Sequence, residues 1–94
     1  MKIITVHCIA KDDRREELVA LCRSMIFPSR AESGCHYYSF YKDLGQENAY
    51  FFYEEWKDQE SIDKHNSSQH FLEFQPKFKA LIAGEPVMTV HSVK

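Results

Sequence analysis

From Ile3 to Ala10 the chain alternates, with Ile3, Thr5, His7 and Ile9 on one side and Ile4, Val6 and Cys8 on the other. The period of two and the β-branched content predict a strand. The period then changes. Leu18, Leu21, Cys22, Met25 and Ile26 recur at i, i+3, i+4, i+7 and i+8 between Arg14, Arg15, Glu16, Glu17 and Arg23, which predicts a helix with one apolar stripe. Asp12-Asp13 offers its N-cap, and Glu16 follows Asp13 in capping-box register. Pro28 predicts an end or a kink, and Ser33-Gly34 marks the exit.

Cys35 to Lys42 carries Tyr37, Tyr38, Phe40 and Tyr41 and reads as a second strand, and Ala49 to Trp56 as a third. The polar run Asp43–Asn48 between them, which holds a glycine, reads as a hairpin loop. Asp58 caps a short helix containing Ile62 and His65. Ser67 or Ser68 starts another, with Phe71, Phe74, Phe78 and Leu81 at helical spacing, interrupted at Pro76 and closed by Gly84. Val87 to Val93 supplies a last strand. The order is β-α-β-β-α-β with the second helix in two pieces, an α+β, ferredoxin-like arrangement. Helices on one side of a four-stranded sheet cover one face only, yet the third strand carries Phe51 and Tyr53 on one side and Tyr50, Phe52 and Trp56 on the other. The uncovered aromatic face predicts a homodimer formed by sheet-to-sheet packing.

Composition narrows the function. The 94 residues suit a single domain, 1–94, and a formal charge of −2 offers no field for nucleic acid or an anionic membrane. Apolar runs such as Tyr50–Tyr53 fall far short of the ~20 residues of a membrane span. The first residues read as a strand and not as a secretion signal. Three cysteines without C-x-x-C spacing fit a reducing compartment, so a cytoplasmic location is expected. Cys35 and His36 are adjacent on a strand, point to opposite faces and make no local nucleophile–base pair. No metal is expected. His65 and His70 are five residues apart, about 140° around an ideal helix, with Ser67-Ser68 breaking the helix between them. Nucleotide-binding glycine motifs and G-x-S-x-G are absent. What remains is an aromatic-lined space between helices and sheet, edged by histidines suited to proton transfer. The plainer alternative is that Phe71, Phe74, Phe78 and the strand aromatics are simply core.

Three segments add a resemblance. Ser29-Arg30-Ala31-Glu32-Ser33-Gly34-Cys35, Phe52-Tyr53-Glu54-Glu55-Trp56-Lys57-Asp58, and His65 with His70-Phe71 resemble the antibiotic biosynthesis monooxygenase superfamily. In character the chain is similar to its small stand-alone quinol monooxygenases. The resemblance implies a ferredoxin-like protomer and a homodimer whose sheets form an α+β barrel. It also implies oxidation of a small aromatic phenol or hydroquinone by O2 without metal, flavin or haem. Haem-degrading relatives carry a tryptophan where this chain has His65 and an asparagine where it has His7, so haem breakdown is set aside. The resemblance makes His65 the expected base and His7 a second donor, with Tyr53, Trp56, Phe71 and His70 as substrate contacts. Tyr53 and Trp56 point to opposite faces of their strand, so at most one lies deep in the cavity. Glu54 and Glu55 are expected at the rim or in dimer contacts. Pro28 departs from the family's unbroken first helix. The leading reading is a cofactor-independent monooxygenase. The alternatives are an isomerase or lyase acting on a small carbonyl compound, and a non-catalytic dimer that binds a small aromatic ligand.

Overall fold

The computed structural model describes residues 1–94. Its elements are β1 (Lys2–Ile9), α1 (Arg15–Ser24), α2 (Ile26–Arg30), β2 (Cys35–Lys42), β3 (Ala49–Trp56), α3 (Gln59–Asn66), α4 (Gln69–Leu81) and β4 (Val87–Ser92). The strands form one antiparallel sheet in the order β2-β3-β1-β4. This is the ferredoxin-like α+β fold, with both helical segments split. No helix is long and apolar enough to cross a membrane.

Each split has a local cause. Pro28 has no N–H for the carbonyl of Ser24, four residues back, and its ring crowds that carbonyl. Accordingly α1 stops at Ser24 and a new turn starts at Ile26. Between α3 and α4, Ser68 adopts an extended backbone and its Oγ accepts the Phe71 N–H at 3.3 Å, so Ser68 is the cap. Asp58 caps α3 as expected, its Oδ1 accepting from the Ser61 N–H at 2.9 Å and from the Ser61 hydroxyl at 2.7 Å.

Three sequence expectations are corrected. Asp13 does not cap α1, whose N-cap is Arg14 without a side-chain bond. Asp12 instead accepts from Asn48 Nδ2 at 2.8 Å, tying the start of α1 to the hairpin before β3. Pro76 does not interrupt α4, because the proline and Leu72, the residue whose carbonyl it leaves unpaired, both face solvent. Gly84 lies beyond the helix end, in the turn to β4 with φ +74°, a backbone that glycine adopts without strain.

The sheet is sided by alternation. Ile4 and Cys8 of β1, Tyr38 of β2, and Tyr50, Phe52 and Trp56 of β3 are buried beneath the helices, against Leu18, Cys22, Ile62, Phe74 and Phe78. The other face shows Ile3, Thr5 and His7, Tyr37 and Tyr41, Phe51 and Tyr53, and Val87 and His91, with no helix over it. Tyr37, Tyr41 and Val87 are exposed there.

Gly34 packs the turn between α2 and β2 against the start of α3. Its carbonyl accepts the Lys57 N–H at 2.8 Å, and a Cβ placed on it would collide with Oγ and Cβ of Ser61. That clash involves the start of α3 and cannot be relieved by a distant side-chain end. Gly34→Ala is therefore expected to cost about 2–3 kcal/mol and to lower the thermal midpoint by roughly 10 °C, as read by circular dichroism. An unchanged midpoint would show that α3 shifts freely.

Candidate active site

The turn after α2 brings Glu32 beneath the α3–α4 junction. Glu32 Oε2 lies 2.6 Å from His65 Nδ1, in the last turn of α3, and 2.8 Å from His70 Nε2, in the first turn of α4. A carboxylate only accepts, so both ring nitrogens act as donors toward it. His65 then presents Nε2 as its unbonded, basic nitrogen. The sequence reading separated the two histidines by the serine break; the fold reunites them on one carboxylate. Their ligating atoms all lie within 4.8 Å of one another. Donors around a tetrahedral ion with ~2.0–2.1 Å bonds sit about 3.3 Å apart, so the two short distances are those of direct hydrogen bonds.

His65 is 3% exposed and ringed by aromatics, with Trp56 at 4.6 Å, Phe71 at 5.2 Å and Tyr38 at 5.8 Å between ring centroids. Burial holds its pKa below the ordinary value, against the pull of the Glu32 carboxylate. The imidazole is thus neutral at neutral pH.

One face of His65 lines a cavity of about 140 Å³ between the sheet and the paired helices α3 and α4. Tyr38, Phe52, Phe71 and Phe74 form its apolar wall, and Met88 of β4 stands at its edge. Glu54 is also in this wall. It sits between Ile4 of β1 and Tyr38 of β2 on the helix-facing side of β3, 5% exposed. Its Oε1 accepts the Trp56 indole N–H at 2.9 Å. Burial pushes the Glu54 carboxyl up to about 7; the negative Glu32 adds to this and the indole bond opposes it. The three thiols are inert by comparison, with burial pushing Cys8 and Cys35 each up to about 11 and Cys22 higher still.

The expected site residues divide between the two sides of the sheet. His65 and Phe71 meet at the cavity, with Trp56 packed behind them and His70 reaching His65 through Glu32. His7 and Tyr53 lie on the opposite face. His7 is exposed, packs on Phe51 at 4.5 Å and lines a separate hollow of about 320 Å³ with Tyr41 and Lys42. The Tyr53 hydroxyl donates to Glu55 Oε2 at 2.8 Å. A grouping of His7 with His65 in one cavity therefore does not hold, because their strand positions put the sheet between them. Of the glutamate pair, Glu55 faces outward while Glu54 is buried in the cavity wall and is no rim residue.

The sequence reading missed two functional candidates. Glu54 had a signal, since it shares strand parity with Phe52 and Trp56, already assigned to one side. Glu32 had none beyond its place in Ser29-Arg30-Ala31-Glu32, because its two partners lie 33 and 38 residues away.

A model of the antibiotic biosynthesis monooxygenase family matches residues 1–77, a span holding Glu32, Glu54, Trp56, His65 and His70. The chain belongs to this family. It is 32% identical over 83 residues to a Bacillus subtilis protein named "Putative monooxygenase YcnE", covering 88% of this chain and 87% of that one. It is 36% identical over 91 residues to the "Uncharacterized protein sll1783" of Synechocystis, covering 97% of this chain but 62% of that longer protein. The structure of Rv0793 from Mycobacterium tuberculosis superposes with a TM-score of 0.94 at 26% identity, over 99% of this chain and 94% of that one.

Glu54 couples this family member's stability to pH. Its proton is held more tightly in the folded chain than in the unfolded one. The stabilisation is therefore complete below the ordinary carboxyl value of 4.5 and is lost as the pH rises through about 7. The shift is worth about 3 kcal/mol. Glu54→Gln is expected to remove it, so that between about pH 5 and pH 8 the thermal midpoint falls by roughly 10 °C less in the variant than in the unmodified protein. Parallel melting curves for the two would show Glu54 to be ionised in the fold.

Proposed function

We propose that the protein oxidises a small phenol or hydroquinone with O2, with His65 as the base that ionises the substrate. The observation that carries this reading is a buried, neutral imidazole held through Nδ1 by a carboxylate and facing an aromatic-walled cavity. A phenol ionises poorly at neutral pH, and its anion is what can pass electrons to O2. A base near the operating pH is the missing part. His65 Nε2 takes the phenolic proton, and Glu32 stabilises the imidazolium that forms and keeps the ring oriented. The aromatic walls hold the ring of the substrate and keep water from the anion. The electrons come from the substrate, so this chemistry calls for no separate cofactor.

The second part of the proposal is a homodimer. The outer sheet face carries Phe51, Tyr53, Tyr37, Tyr41 and Val87 with no helix across it. A second copy covers this face across a two-fold axis, so that each face packs on its like. Sedimentation equilibrium is expected to give twice the chain mass; a chain-sized mass at micromolar concentration would remove the dimer.

A second reading is favoured by the Glu54 carboxyl. An acid and a base in one cavity also suit enolisation of a small carbonyl compound, a reaction that proceeds without O2. Oxygen uptake in the presence of small hydroquinones separates the two. The expected result is substrate-dependent uptake that falls by about 10²–10⁴-fold in His65→Ala while the dimer mass is unchanged. Uptake retained in His65→Ala would exclude it as the base, and turnover under anaerobic conditions would favour the isomerase.

A further inference from the structure

Ionising the substrate is half of the proton chemistry that this cavity has to perform. Insertion of one atom of O2 sends the other out as water, and the departing oxygen needs a proton, which a group in the cavity wall can deliver. We infer that Glu54 is a second catalytic residue, the acid that protonates the oxygen leaving at the O–O bond. This rests on the oxygenase reading above and adds a role to the same site.

The placement is specific. Glu54 lies in the wall of the cavity that His65 also lines, on β3, one of the two inner strands of the sheet. The indole N–H of Trp56 engages one carboxyl oxygen and fixes the side chain, and no other hydrogen bond is made to the carboxyl. The second oxygen is left for whatever occupies the cavity. The titratable groups around it are Tyr38 and Cys35 from β2, His65 from α3, Lys79 from α4 at the cavity wall, and Glu32 from the turn before β2. None forms an ion pair with Glu54, and Glu32 repels its ionised form. A buried carboxyl without a cation is held as the neutral acid. Its burial contributes nothing to packing that a leucine or methionine would not contribute better. The raised pKa follows from this geometry and gives an acid matched to neutral pH.

The steps balance. His65 takes the hydroxyl proton, and the ionised ring forms a C–O bond to O2 at a carbon that still carries hydrogen. The resulting peroxide takes back the proton from His65 and becomes a hydroperoxide. His65 then removes the hydrogen of that carbon as a proton while the O–O bond breaks. The C–H electron pair becomes the new carbonyl, and the departing hydroxide leaves as water with the proton of Glu54. Transfer from His65 to Glu54 resets both groups. A phenol and O2 give a quinone and water; the phenol loses four electrons and O2 gains four.

Glu54→Gln preserves the shape of the side chain and its acceptor for the indole, and removes only the proton. The test measures oxygen uptake, hydrogen peroxide release and formation of the hydroxylated quinone, the product of oxygen insertion, with hydroquinone, methylhydroquinone and 1,4-naphthohydroquinone. The unmodified protein is expected to show a bell-shaped kcat profile. Its acid limb belongs to His65 and its alkaline limb, near pH 7, to Glu54. In Glu54→Gln the alkaline limb is expected to vanish, kcat to fall about 10²-fold or more with KM little changed, and peroxide to appear in place of water. Glu54→Asp, which keeps an acid, is expected to retain the alkaline limb. Gln-variant kinetics equal to those of the unmodified protein, or an unmodified protein without an alkaline limb near pH 7, would overturn the role of Glu54 and leave the oxygenase reading standing. No oxygen uptake by the unmodified protein would remove that reading and this one together.

Discussion

A single carboxylate oxygen ties together three parts of the chain that are remote in sequence. Glu32 Oε2 takes one hydrogen bond from the end of α3 and another from the start of α4, and so closes the corner that the serine break opens between them. Charge-assisted bonds of 2.6 and 2.8 Å are among the stronger polar contacts a small fold can make. The orientation of His65, the path of α4 across the sheet and the existence of the cavity beneath it all depend on this junction. An apolar side chain in place of Glu32 would leave the ring N–H of His65, a histidine that is 3% exposed, without its acceptor.

The same layer of the protein carries a cost. Glu54 occupies a position between Ile4 and Tyr38 that an apolar residue would fill with a gain in stability. Phe52 and Trp56, its neighbours on the same side of β3, show what that surface otherwise prefers. Burial therefore moves two groups in one cavity in opposite directions, lowering the pKa of a base and raising that of an acid, and so disfavours the charged form of each. Neutral groups of this kind exchange protons with a substrate over a narrow pH range without either being locked in an ion pair.

Much of this was legible in the sequence, and what was not has identifiable causes. Strand parity alone separated Tyr53 from Trp56, and the structure keeps them on opposite faces. Asp58 and Ser68 were readable as caps because capping is local, decided within three residues. Asp13 looked equally good by the same rule, but Asp12 is held by Asn48, far along the chain, and the helix starts later. Pro28 announced the break after Ser24 correctly, whereas Pro76 announced one that the solvent-facing side of α4 absorbs. His65 could be named from its motif. Its partners could not, because the distance that matters between Glu32 and His65 exists only after the sheet and helices have packed.

The β3 segment from Tyr53 to Trp56 serves two environments at once, with Glu54 and Trp56 turned toward the helices and Tyr53 and Glu55 turned away. On one side β1 pairs with it without a shift, and on the other β2 does so up to Glu55, with a bulge at His36 before Cys35 pairs with Trp56. A one-residue slip would turn the buried carboxyl and the indole outward and bring a tyrosine and a second glutamate into the space between sheet and helices. Substitutions in this segment act on one surface at a time, but a change in its length alters both together. A change in length would leave both surfaces intact only in the hairpin of residues 43–48 and in the turns beyond the strand ends, where the alternation has already stopped.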